Sequence, residues 1–536
     1  MPETGKRGGS ARSLRELARA PCVPTEGGHF PPAECIFTPM PNPDEMNAPP
    51  MTSFDPYLLR GDFPFFEREE AVWLDNAATT QKPRAVLDRV LAAMTRASGV
   101  HRAVYALAEE TTLAYEEARA VLADFIGAPS KDEIVFTSGA TAGINFLARS
   151  LYAARRRAGA KAFRVVTSVL EHHSNVLPWR MLGEEGGAAC AVVGHDARGG
   201  VDMEALAAAL ARPCDVVALT LCSNVSGAWL DTRRAAELAR GAGALLFLDA
   251  AQAVAHRPLC VGACSRSEAQ LSGGTQKSNE SGSGGDSPFR TERRARALFR
   301  FFDKRNRSCE PHSVCSCRQC NFPNGNVRTA CGEQEPVERR FPLDADAIAF
   351  SGHKMYAPDG SGVLWARRSL LEELAPVSYG GEMVLSVGDA DIQWNRPPRC
   401  FEAGTPNVSA VLGLASAAAW LRALPREAIR AHEDALGQML HDEIGALPGA
   451  RVFSEPGPLC SFTLDGWHAH DLAAFLDTEG LALRAGRLCA EPFVRALGVP
   501  ALVRASLAAY TTREECTRLL AALRKANALR GGYARS

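Results

Sequence analysis

An excess of charge of one sign is the first thing this chain lacks. Its 60 lysines and arginines stand against 61 aspartates and glutamates, so nothing in the balance points to nucleic acid. Long apolar runs are missing too. None approaches the roughly 20 residues of a membrane span, and no stretch resembles a secretory signal, so no membrane partner and a cytoplasmic location are expected. A complete zinc signature is also absent. Cys315-Ser316-Cys317-Arg318-Gln319-Cys320 is tight but has no second pair to match it, and no metal site is expected. Of the 16 cysteines, eight remain once one crowded segment and the N-terminal tail are set aside, which suits a reducing compartment. The whole chain is 46% hydrophobic and 23% charged, the composition of an ordinary globular chain with material for a core.

Apolar strands alternate with helical stretches from about Leu74 to Leu424, a pattern that predicts an α/β domain with a mostly parallel sheet. Two strands end in functional groups. Asp346-Ala347-Ile348-Ala349-Phe350 runs into Ser351-Gly352-His353-Lys354, and Ala244-Leu245-Leu246-Phe247-Leu248 closes on Asp249. A carboxylate ending a buried run is poorly explained by packing. A lysine that forms a Schiff base, with an aspartate on a pyridinium nitrogen, is the pairing that pyridoxal 5'-phosphate chemistry needs. Far downstream, Cys489 in Arg484-Ala485-Gly486-Arg487-Leu488-Cys489-Ala490 offers a sulfur nucleophile.

Leu74-Asp75-Asn76-Ala77-Ala78-Thr79-Thr80, Glu171-His172-His173-Ser174-Asn175, Asp249-Ala250-Ala251-Gln252, Ser351-Gly352-His353-Lys354 and Glu402-Ala403-Gly404-Thr405-Pro406-Asn407 together resemble a cysteine desulfurase of the SufS type, within the class V aminotransferases. The resemblance implies the pyridoxal-phosphate-dependent transferase fold type I, with a small α+β C-terminal domain beside the large one. It implies that Lys354 binds the cofactor covalently, Asp249 pairs with the ring nitrogen, Gln252 meets the ring oxygen and His172 stacks on the ring. Ala140 and Thr141, in the turn Ser138-Gly139-Ala140-Thr141, would hold the phosphate with Ser351 and His353, and Thr405 would reach in from a second subunit of a homodimer. The family has a second threonine at Ala140, which leaves this position its backbone N–H. Arg504 would fork onto the substrate carboxylate, with Asn224 and His101 lining the same pocket and Arg484 nearby. The implied reaction turns L-cysteine into L-alanine and leaves a persulfide on Cys489 for a sulfur acceptor of the SufE or SufU type in iron–sulfur cluster assembly. The family carries histidines at 487 and 488, so arginine and leucine here remove two proton carriers; Arg487 would favour the thiolate if it faced the sulfur. His470 has two equal readings, as a cap of the helix that follows and as a docking residue for a zinc-containing acceptor. Other functional readings are a selenocysteine lyase acting on L-selenocysteine, another class V enzyme, and the inactive product of a disrupted gene.

Four segments are expected: an extension or misplaced start over 1–50, a large domain over 51–424, an interruption of it over 264–341, and a small domain over 425–536. A basic amphipathic helix at Ser10 to Arg19 gives the first segment a second reading, organelle targeting. Asp249 and Lys354 lie 105 positions apart; without the 78 residues from Cys264 to Phe341 the separation falls to 27. This interruption, with Cys264, Cys309, Cys315, Cys317, Cys320 and Cys331, reads as a low-complexity segment or a gene-model error.

Overall fold

A computed structural model of the chain describes residues 54–262 apart from 97, residues 340–533, and two short strands at 326–328 and 334–336. Residues 1–50 and the six cysteines of the interruption lie outside the described residues.

The large sheet has seven strands. In chain order they are β1 (Ile134–Thr137), β2 (Phe163–Ser168), β3 (Ala188–Val193), β4 (Val216–Thr220), β5 (Leu245–Asp249), β6 (Ala347–Ser351) and β7 (Gly362–Ala366). Their spatial order is β1-β7-β6-β5-β4-β2-β3. All neighbours pair in parallel except at β7, which runs antiparallel to both β6 and β1. Strands β4, β5, β6 and β7 are buried along their whole length, which is why they read as unbroken apolar runs rather than alternating ones. Leu246, Leu248, Ile348 and Phe350 face one core, and Leu245, Phe247, Ala347 and Ala349 the other.

A second sheet of four antiparallel strands follows: β8 (Ala450–Val452), β9 (Leu459–Leu464), β10 (Arg484–Gly486) and β11 (Leu502–Ser506), ordered β8-β9-β11-β10. Its own core is built from residues such as Leu440, Phe462, Leu472, Val503 and Leu519. The N-terminal segment crosses to this unit. Val72 and Trp73 pair in parallel with Leu481 and Ala482, and Asp75 bridges Ser506.

The interruption leaves and returns at one place. Leu259–Cys260 pairs in parallel with Phe341–Pro342, and the Leu343 N–H donates to Cys260 O at 2.8 Å. Five residues on, the chain enters β6 at its amino end. Lys354 follows the carboxyl end of β6, so the interruption is rooted at the opposite end of the strand from the lysine. Register confirms the consequence: Ala349 of β6 sits beside Asp249 of β5. Among the described residues no single helix is long and apolar enough to cross a membrane.

Candidate active site

Every large-domain residue of the site follows the carboxyl end of a parallel strand, the edge where open α/β sheets bind ligands. Asp249 ends β5, Ser351 ends β6, Glu171 and His172 follow β2, Asn224 follows β4, and Ala140 follows β1.

Asp249 is buried, and its Oδ1 accepts the Ala251 N–H at 3.0 Å. Burial raises its pKa, while that N–H and Lys354 pull it back. Burial pushes the Lys354 amine below its usual range, against the attraction of Asp249. The lysine is thereby biased toward the free amine that a nucleophile needs. His172 is driven down to about 3 by burial and then by Lys354, so its ring is neutral. It caps helix α1 (His173–Glu184), its Nδ1 accepting the Ser174 N–H at 3.2 Å. Gln252 donates from Nε2 to Ala77 O at 2.7 Å.

Helix α2 (Ala140–Arg157) starts without a capping side chain. The Ala140 N–H donates to Ser351 Oγ at 2.8 Å, and Thr141 Oγ1 meets Ser174 Oγ at 2.7 Å. Gly139 before it has φ +147, a conformation open to glycine. A Cβ on Gly362 would lie 2.5 Å from the Gly139 Cα, so this turn packs directly on β7. Uncapped N–H groups at the start of an 18-residue helix, with a hydroxyl from β6, form a cradle suited to a phosphate. His353 lies beside it, brought down to about 4 by burial and Lys354, and its carbonyl accepts the Thr80 N–H at 2.9 Å.

The opposite wall belongs to the small sheet. Arg504, on β11, is buried; its Nη1 donates to Asn224 O at 2.8 Å and its Nη2 lies 3.5 Å from Asp75. Its Nε is buried with no hydrogen-bond partner among the described residues. Burial lowers its pKa to about 10, against Asp75, so it keeps its charge near neutral pH. A buried guanidinium with an unpaired donor is suited to an incoming carboxylate. Arg484, exposed, pairs with the other Asp75 oxygen at 2.8 Å. Cys489 is exposed on the turn that follows β10, where Leu488 O accepts from Asn224 Nδ2 at 2.7 Å.

The chain belongs to the class V aminotransferase family. The family profile matches residues 72–266 and 341–519, leaving 267–340, nearly all of the interruption, unmatched. The chain is 31% identical over 481 residues to a cysteine desulfurase of Pectobacterium atrosepticum, across 88% of this chain and 98% of that one. Among solved structures, the cysteine desulfurase CsdA of Escherichia coli, in an S-sulfonic acid form, is 30% identical with a TM-score of 0.68, covering 89% of this chain and 99% of that one. The apo cysteine desulfurase of Thermococcus onnurineus NA1 is 26% identical with a TM-score of 0.70, covering 90% and 100%. The family uses pyridoxal 5'-phosphate, and the α2 cradle, Asp249 and Lys354 fit that group.

Not every expected residue converges. No hydrogen bond, ion pair or ring contact joins His101 to Asn224 or Arg504 among the described residues. A left-handed backbone, φ +69, aims its ring at Glu116, 3.1 Å away, and it shares a cleft with Glu382, Arg399, Glu402, Gly404 and Pro406. Thr405, on that same loop, is exposed. Arg487 turns to Glu491 at 2.5 Å, four residues on, so its charge is answered there. The capping reading of His470 is corrected: His468 caps the helix Ala469–Thr478, accepting the His470 N–H at 3.4 Å. His470 itself is exposed against Gly486. Asp75, Glu171 and His173 carry site contacts that residue-by-residue reasoning missed. The signal for Asp75 was present, a carboxylate closing the apolar Val72-Trp73-Leu74.

Proposed function

We propose that this protein converts L-cysteine to L-alanine and takes the sulfur onto Cys489 as a persulfide. When bound, the cofactor supplies an electron sink that loosens the bonds at the substrate's α-carbon. The α2 turn and Ser351 would hold its phosphate, Asp249 its ring nitrogen, and neutral His172 one ring face without adding charge. Arg504 receives the substrate carboxylate on its unpaired Nε, and Asp75 fixes the guanidinium from behind. The Lys354 amine, biased by burial toward its free-base form, accepts and returns the proton at the substrate's α-carbon. The Cys489 thiolate attacks the substrate sulfur. A sulfur–sulfur bond forms, the carbon–sulfur bond breaks, and its electron pair takes a proton at carbon, so cysteine and the enzyme thiol become alanine and the enzyme persulfide.

The observation that carries this reading is convergence: Asn224, at the sheet edge that also carries Asp249 and Lys354, accepts from Arg504 of the small sheet at 2.8 Å and donates to Leu488 O, beside Cys489, at 2.7 Å. We propose further that the persulfide passes to an acceptor of the SufE or SufU type for iron–sulfur cluster assembly. The exposure of Cys489 supports transfer to another protein. A homodimer is supported by exposed Thr405 and by the apolar Leu385, Val387 and Ile392 on the hairpin Val384–Val387/Ile392–Trp394. The test is the visible spectrum of the purified chain before and after L-cysteine, with alanine quantified. A visible band that changes as alanine appears agrees with the reading; a protein that stays colourless with added pyridoxal phosphate contradicts it.

A further inference from the structure

Cys489 lies on the turn between β10 and the short helix α3 (Glu491–Ala496). Leu488 and Cys489 have φ +53 and +52, two consecutive left-handed residues that are neither glycine nor asparagine. Such a conformation is strained for residues with a Cβ, and the pair persists only where its surroundings impose it. Within the turn, Ala490 N–H donates to Arg487 O at 2.9 Å. Three further restraints come from the large domain. Asn224 Nδ2 donates to Leu488 O at 2.7 Å. The His173 N–H donates to Cys489 O at 2.7 Å. The Glu491 N–H donates to the His173 Nε2 at 3.3 Å.

The last contact replaces something missing. Ala490 stands at the N-cap of α3 and has no side chain that accepts a hydrogen bond, where serine, threonine, aspartate or asparagine ordinarily would. The His173 imidazole, from another domain, takes the first helical N–H instead. His173 is also the first residue of α1 and the neighbour of His172, so one helix start sets the neutral ring beside Lys354 and the turn that carries the thiol.

We propose that His173 is a positioning residue for the Cys489 thiol, latching the turn of the small domain onto the helix start that carries His172 and holding its two left-handed residues in place. The proposal rests on Cys489 being the sulfur acceptor. His173 grips the chain twice just past the thiol-bearing carbon, its backbone N–H at the Cys489 carbonyl and its ring at the Glu491 N–H. Asn224 completes the latch, because its carbonyl is held by Arg504 while its amide holds Leu488 O. The site of carboxylate binding and the thiol turn therefore share one residue.

The experiment compares His173→Ala and His173→Gln in the cofactor-loaded full chain. Glutamine can offer a carbonyl oxygen near the position of Nε2; alanine cannot. Three quantities are read: the rate at which iodoacetamide alkylates Cys489, followed by mass spectrometry of its peptide, and kcat and KM for L-cysteine. Removing one hydrogen bond to a strained turn is expected to change the alkylation rate and lower kcat by about fivefold to tenfold each in His173→Ala. KM and the visible band should stay as in the wild type, and His173→Gln should recover most of both losses. Wild-type alkylation and kcat in His173→Ala would overturn the latch, and so would a glutamine variant as impaired as the alanine one. Alkylation needs no turnover, so this outcome is independent of the underlying reading, which fails instead if Cys489→Ser still yields persulfide.

Discussion

Asp249 and Asp75 are both buried carboxylates beside basic groups, yet they are held in different ways. Asp249 ends a central strand, takes a backbone N–H from Ala251 and faces a single amine, Lys354. Asp75 lies on a segment that crosses between domains and is held by two guanidinium groups, Arg484 and Arg504. The difference extends to the two walls they belong to. On the large-domain wall, strand register fixes the positions, as Ala349 beside Asp249 shows. On the small-domain wall, position depends on side chains reaching across: Asp75 to Arg504, Asn224 to Leu488, His173 to Glu491. Changes on the first wall should remove chemistry and leave geometry standing. Changes on the second, the thiol itself apart, should move geometry and leave part of the chemistry.

The largest effect belongs to the first wall. Lys354→Ala should lower alanine formation by more than about 10³-fold, as loss of a covalent catalyst does, and remove the visible band of a lysine-bound cofactor while the protein remains folded by circular dichroism. Cys489→Ser comes next. Sulfur transfer should fall by more than about a hundredfold, with the visible band intact, which separates the thiol's step from the lysine's. Asp75→Asn should sharpen the contrast by acting on position. Losing one charge-assisted pair costs about 1.5–3 kcal/mol, so KM for L-cysteine should rise by roughly tenfold or more, with a smaller change in kcat.

The smallest predicted effect is on stability. Glu171, fully buried behind His172, accepts from Ser168 Oγ and Asn175 Nδ2, both at 2.6 Å, and burial raises its pKa from 4.5 to about 8, with Asp249 adding to the rise. The folded chain therefore holds a proton that the unfolded chain gives up, and stability is lost as pH rises through that window. Glu171→Gln, which keeps the neutral shape, should flatten the fall in melting temperature between pH 5 and 8. A wild-type pH dependence in the variant would show that the carboxyl is already ionised there.

The large-domain wall was legible in the sequence because its logic is local. An apolar run ending in Asp249, and another leading to Lys354, announce a strand and the end at which chemistry emerges. Even the 105-residue separation of the two was readable once the interruption was set apart, and the structure roots that interruption at the far end of β6. The small-domain wall was legible only by resemblance. Arg504 and Cys489 could be named, but the contacts that aim them join residues hundreds of positions apart, 264 from Asn224 to Leu488 and 318 from His173 to Glu491. No periodicity or spacing records such a contact. His470 shows the same limit at short range: two nearby histidines, His468 and His470, are equivalent candidates for a cap until the backbone places His468 at the helix start.

The central claim is that sulfur from L-cysteine lands on Cys489, between the two walls. Its most direct test is a single turnover with sulfur-labelled L-cysteine, followed by mapping of the sulfane sulfur by peptide mass spectrometry and quantification of alanine. The account predicts label on the peptide containing Cys489, in equal amount to the alanine released, and no labelled peptide in Cys489→Ser. Label on another cysteine, or undiminished persulfide in Cys489→Ser, would contradict it.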